Sequence, residues 1–135
     1  MSTFSSLEQA REYFKGDRFA MENGVTLDAL HADEAVCSMR IDKARHCNAA
    51  GGIMGGVIFT LADFAFAVAS NNLHNLTVAL QVSVNFLNGV RGETLTARTK
   101  CIKDGRTTSV FNVDITDESG RLVAQFVGTG YKMLK

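Results

Sequence analysis

Within eighteen residues the chain places an imidazole, a thiol, a carboxamide, four glycines and a carboxylate: His46-Cys47-Asn48, then Gly51-Gly52-Ile53-Met54-Gly55-Gly56, then Leu61-Ala62-Asp63. Asp63 stands about two turns inside a run otherwise made of Val, Ile, Phe, Leu and Ala. An unpaired buried charge is costly, so such a carboxylate is paired, lined by polar groups, or kept for a task. Loss of hydration raises its pKa toward the range where a carboxylate serves as a general base. A purely structural bond to a loop amide is the alternative.

Gly55 and Gly56 open the same run. Two glycines at a helix start leave backbone N–H groups without partners and without side chains in front of them. The positive end of the helix dipole adds to those donors, which suits an oxyanion or a polarised carbonyl oxygen. A plain loop-to-helix turn is the alternative here. Eight residues of helix separate Gly55 from Asp63, about 12 Å along the axis. Reacting groups must approach within ~3–3.5 Å. Both can therefore serve one carbonyl only if they come from two copies of the chain, with their helices side by side across a two-fold axis.

The surrounding pattern predicts the elements that hold these groups. Ser6 with Gln9, and Ser5 with Glu8, both read as capping boxes for a short helix carrying Leu7, Ala10 and Phe14 on one face. Gly16-Asp17 ends it. Residues 25–31 and 34–41 read as strands, the second with Ala35, Cys37, Met39 and Ile41 on one side. A polar stretch over 42–52 precedes the long apolar helix from Gly55 to about Asn71, which must be buried on nearly all sides. Residues 77–87 alternate, with Val78, Leu80, Val82, Val84 and Phe86 on one face and Gln81, Ser83 and Asn85 on the other. Strands over 94–103, around Phe111–Ile115 and over 122–133 follow, with a two-residue hairpin at Asp104-Gly105 and a turn at Asp117–Gly120. The order describes an α+β domain over 1–135 with an antiparallel meander.

Fourteen basic residues balance fourteen acidic ones, so no global field draws the chain to nucleic acid or an anionic membrane. Three cysteines without a CxxC pair, and an N-terminus without a secretory pattern, lead to the expectation of a reduced, cytoplasmic protein. The apolar run is too short and too interrupted to read as a membrane span. His31, His46 and His74 show no metal-ligand spacing, and His46 is expected to face solvent or to order its loop. Arg91, Lys103 and Arg106 lie near strand ends, as solvated charges or as partners for a phosphate-bearing ligand.

Asn48, the Gly55-Gly56 pair seven residues on, and Asp63 within Leu61-Ala62-Asp63 resemble the phenylacetate-degradation type of hotdog thioesterase, within the wider 4-hydroxybenzoyl-CoA thioesterase superfamily. The similarity covers nearly the whole chain through the order of its elements. It implies a hotdog fold, an antiparallel sheet wrapped around one long central helix, and hydrolysis of an aryl- or medium-chain acyl-CoA. Asp63 would be the general base or the direct nucleophile. The Gly55 N–H of a neighbouring subunit would polarise the carbonyl, Asn48 would position the water or the thioester oxygen, and the Ser83 hydroxyl would support the water. Gly56, Met54, Arg91 and Arg106 would contact the substrate. The family has a histidine where this chain has Met54. No metal or organic cofactor is implied, and the partners are acyl-CoA and further copies of the chain, as a homodimer and a tetramer built from it. Two rivals stand beside this reading: another hotdog acyl-thioester enzyme such as a dehydratase, and a non-catalytic acyl-CoA sensor.

Overall fold

Ser6 caps the first helix, α1 (Leu7–Phe14), by accepting the Gln9 N–H at 3.1 Å. Gln9 answers with its side-chain oxygen, but toward the Ser5 N–H rather than that of Ser6, so the box is offset by one residue. The Ser5–Glu8 box does not form, because Glu8 pairs with Arg11. Ala10 and Phe14 are buried, as their spacing predicts. The computed structural model, which describes residues 2–134, adds a second short helix, α2 (Arg18–Glu22). Five residues are too few to show a helical period in the sequence.

Two strands follow, β1 (Val25–Leu30) and β2 (Ala35–Arg40), then the one-turn helix α3 (Lys43–His46) inside the stretch read as a loop. The long helix is α4 (Gly55–Leu73), and β3 (Thr77–Phe86), β4 (Thr94–Asp104), β5 (Thr108–Asp117) and β6 (Leu122–Lys132) complete the chain. All pairings are antiparallel, in the order β1-β2-β4-β5-β6-β3. The β4–β5 link is longer than the expected two-residue hairpin, since Gly105 donates to the Thr108 carbonyl at 2.8 Å.

α4 lies in the curve of the sheet against all six strands. By length and composition it could cross a bilayer, yet most of it is buried on the sheet. Its small residues Ala62, Ala65 and Ala69 bring the backbone close, and Phe66 reaches β6 where Gly128 and Gly130 leave room. A Cβ at Gly128 would stand 3.0 Å from the Phe66 ring and 2.9 Å from that of Phe126. The helix is not covered all round, however. Gly56, Phe59, Thr60, Asp63 and Ala67 fall at helical spacing and stay open to varying degrees, so one stripe faces away from the sheet.

The single apolar face expected for β3 is also corrected. The register slips between Ala79 and Gln81, a bulge at Leu80 that reverses which side successive residues face. Val82 and Val84 pack toward the core, whereas Val78 and Leu80 lie exposed. At the far end of α4, buried Asn71 accepts the Thr77 N–H at 2.8 Å and ties the helix to the start of β3.

Close seating of α4 makes a testable demand. Gly128→Ala should lower stability by about 1–3 kcal/mol, because two packed rings must shift. A urea midpoint equal to that of the unaltered protein would show that the helix has slack at this contact.

Candidate active site

The loop ahead of α4 is built from side-chain to backbone bonds. His46 is fully buried, not solvent-facing, and its Nδ1 accepts the Asp42 N–H at 3.0 Å, which puts the ring proton on Nε2. Its carbonyl accepts the Met54 N–H at 2.9 Å, closing the loop onto the helix start. Asn48 sits inside this loop, and its Oδ1 accepts both the Ala50 N–H at 3.0 Å and the Gly52 N–H at 3.1 Å. Only its carboxamide NH₂ remains for a ligand. The expected positioning role therefore has one donor available and no acceptor.

Met54 is the N-cap of α4, exposed and without a side-chain cap bond. The N–H groups of Gly55 and Gly56 meet no acceptor among the described residues. A side chain could not stand at Gly55 without crowding Phe86, whose ring would lie 3.1 Å from an added Cβ. Gly55 lines a cavity of about 790 Å³ with Lys43, Ile53, Ile58, Phe86 and, from the following loop, residues 87–90 and 92. That loop is pinned by buried Asp117, which accepts the Arg91 N–H at 2.8 Å and the Ser119 hydroxyl at 2.6 Å. The Ser119 hydroxyl first, with the backbone N–H groups behind it, holds the Asp117 carboxyl down at about 2.

Asp63 faces a different cavity, of about 330 Å³, walled by Asp17, Arg18, Phe19, Ala20, Phe59, Thr60 and Phe64. Its carboxylate makes no salt bridge among the described residues. Burial, and after it the charge of Asp17, push its pKa above the ordinary carboxylate value. The Phe14 and Phe64 rings meet edge to face at 5.7 Å, so α1 is packed on α4 beside this cavity.

The two cavities share no lining residue, so the groups at the helix start and the aspartate do not meet within one chain. Two further expectations need correction. Ser83 is exposed on the outer face of the sheet, paired across to Val127, so its hydroxyl is turned away from the α4 of its own chain. Arg91 lies in the loop at the Gly55 cavity, but Arg106 lies beyond the opposite end of the eleven-residue β4, roughly 35 Å of strand away. The residues that sequence reasoning missed are Asp17, Arg18 and Phe19, which carry no periodic or motif signal and join the site only because α2 folds onto α4.

The geometry has close counterparts. The thioesterase superfamily model matches residues 50–124. The acyl-coenzyme A thioesterase PaaI of Escherichia coli K12 is 30% identical over 127 residues, 93% of this chain and 90% of that protein. The solved structure of E. coli PaaI, from the phenylacetic acid degradation operon, matches with a TM-score of 0.88 at 27% identity, over 94% of this chain and 92% of that one. A putative esterase of Archaeoglobus fulgidus is 37% identical over 92 residues, 67% of this chain but only 60% of that protein's length. A hypothetical thioesterase of Streptococcus pneumoniae, solved with coenzyme A, matches with a TM-score of 0.81 at 27% identity, over 89% and 96% of the two chains. The α+β architecture is the hotdog fold of these thioesterases.

A raised carboxylate penalises the folded state whenever it is ionised. The penalty is absent below the unfolded value near pH 4, grows between the unfolded and the folded values, and is complete above the folded one. Asp63→Asn should therefore stabilise the protein at neutral pH. The gain should vanish below about pH 4. Thermal melts across pH check this, and equal melting of both proteins at pH 7 would show that the carboxylate is not strained by its site.

Proposed function

The chain belongs to the thioesterase superfamily, and from that membership we propose that it hydrolyses acyl-coenzyme A thioesters at sites shared between two copies, each using Asp63 of one chain and the Gly55 N–H of the other. One observation carries this reading: Gly55 and Asp63 lie on one helix, open into separate cavities, and are joined along the helix by an uncovered stripe. A second α4 laid against that stripe, related by a two-fold axis, supplies what each cavity lacks. The free edge of β3 supports the same arrangement. It is ten residues long, carries no charge, and leaves Leu80 64% and Phe86 55% exposed. An edge so unguarded calls for a partner strand.

The chemistry follows from the pieces. Asp63 takes a proton from water as the water oxygen attacks the thioester carbonyl carbon. Charge developing on the carbonyl oxygen falls at the positive end of the partner's α4, on its Gly55 N–H. Collapse of the tetrahedral intermediate breaks the C–S bond, and the proton held by Asp63 passes to the leaving thiolate. Met54 contributes no hydrogen bond, so the donor is backbone and survives the loss of the family's histidine. Phe19, Phe59 and Phe64 around Asp63 favour an aryl or medium-chain acyl group, and the kinship with PaaI agrees. Lys43 and Arg91 beside the Gly55 cavity suit the phosphates of coenzyme A.

Asn48 splits into two separable duties. Asn48→Asp keeps the acceptor that shapes the loop and removes the NH₂ donor, whereas Asn48→Ala removes both. If the donor serves the substrate, the Asp variant should fold normally and still lose about tenfold or more in kcat/KM. Full turnover in the Asp variant would leave Asn48 a loop residue only.

The shared site is tested by mixing two inactive variants. Asp63→Asn should lower kcat by ~10²–10⁴, and Gly55→Pro deletes the donor at a helix position that tolerates proline. After co-refolding in equal amounts, roughly half the dimers are hybrids with one intact site of two, so about a quarter of full activity should return. Hybrids confirmed by mass but without recovered thiol release would rule the arrangement out, as would full activity of Asp63→Asn alone.

A further inference from the structure

We propose that Asp17 is a second carboxylate of the site, a positioning residue that acts through Asp63 across their shared cavity and sets the pH range in which Asp63 serves as base. The inference rests on the reading of Asp63 as that base. Asp17 holds the N-cap position of α2, yet its side chain makes no cap bond. Its backbone is well tied, with the N–H donating to Phe14 and the carbonyl accepting from Met21, both at 3.0 Å. The carboxylate takes no part in a salt bridge among the described residues, unlike Glu8 and Glu12 of α1, which pair with Arg11 and Lys15. A side chain so placed, in a turn docked on α4, lines the cavity together with Asp63 and the rings of Phe19, Phe59 and Phe64.

Asp17 is itself exposed, and it faces Asp63 across the small open cavity that both acids line, where like charges disfavour each other's ionisation. Ionising Asp63 beside an ionised Asp17 is therefore disfavoured: burial raises the proton affinity of Asp63 first and the charge of Asp17 adds to it, whereas burial alone raises that of Asp17. Arg18 is the one cation of the cavity wall and works in the opposite sense. Thr60, on the same helix as Asp63, is neutral and donates its hydroxyl to the Gly56 carbonyl. Beyond Phe64, the neighbouring cavity carries Arg11, Lys15 and Asp28, of which Arg11 and Lys15 are paired with Glu8 and Glu12. Asp17 is thus the acid of this wall, and a more basic Asp63 abstracts a water proton more readily.

The test is the pH profile of kcat/KM for acyl-CoA hydrolysis, followed by thiol release. Asp17→Asn should move the acid limb toward lower pH by about half to one unit, and Asp17→Glu should leave the limb in place. The same displacement should appear in an NMR titration of the Asp63 carboxyl carbon, which needs no turnover. An unmoved limb and an unmoved titration in a folded Asp17→Asn protein would overturn the role of Asp17 while leaving Asp63 as base. If Asp63→Asn instead retains full rate at every pH, the base itself is wrong and the role of Asp17 falls with it.

Discussion

The contact on which the rest depends is the seat of one apolar helix in the hollow of the sheet. Ala62, Ala65 and Ala69 are too small to hold the backbone off, and Phe66 lies over a pair of β6 glycines. Burial of that side supplies the main driving force for ordering the chain. It also fixes the rotation of α4 about its own axis. Once the alanine face is down, the stripe from Gly56 through Asp63 to Ala67 must look away from the sheet. The position of the carboxylate is a by-product of packing.

The same seat sets the electrostatics. Asp63 is held at the boundary between the core and a small aromatic-walled cavity, where it is partly stripped of water but not paired. Gly55, two turns earlier, sits where the helix has donors to spare and where an added side chain would crowd the exposed ring of Phe86. One helix thus carries a proton acceptor near its middle and an anion-stabilising end. Its rigidity keeps them apart in one chain.

Loops are stiffened by polar groups that the chemistry does not consume. His46, Asn48 and Asp117 each spend their acceptors on backbone N–H groups, which holds the approach to α4 in one shape. This is why Asn48 has less to offer a ligand than its place in the motif suggests. A side chain's type tells what it can bond, but only its neighbours decide what is left over.

Much of the fold was legible beforehand. The strict alternation at Ala35–Ile41, the apolar run after Gly55 and the turn at Asp117–Gly120 are local signals, and each became the element it indicated. The eight-residue spacing of Gly55 and Asp63 is likewise local, because a helix converts residue number directly into distance. What failed to show was whatever depends on through-space neighbours. The bulge at Leu80 reverses the phase of β3 and leaves Val78 and Leu80 exposed while Val82 and Val84 pack inward, although nothing in Val78–Phe86 marks it. Arg106 and Arg91 look equivalent at strand ends and are separated by the whole of β4. Asp17 carries no motif and reaches Asp63 only because α2 folds back onto α4. The sequence by itself determined the order of the strands and of the α1 and α4 helices, and the placing of a carboxylate inside the apolar helix, since these follow from hydrophobic period. The tertiary structure alone decided which polar groups share a cavity, since that depends on the docking of elements far apart in the chain.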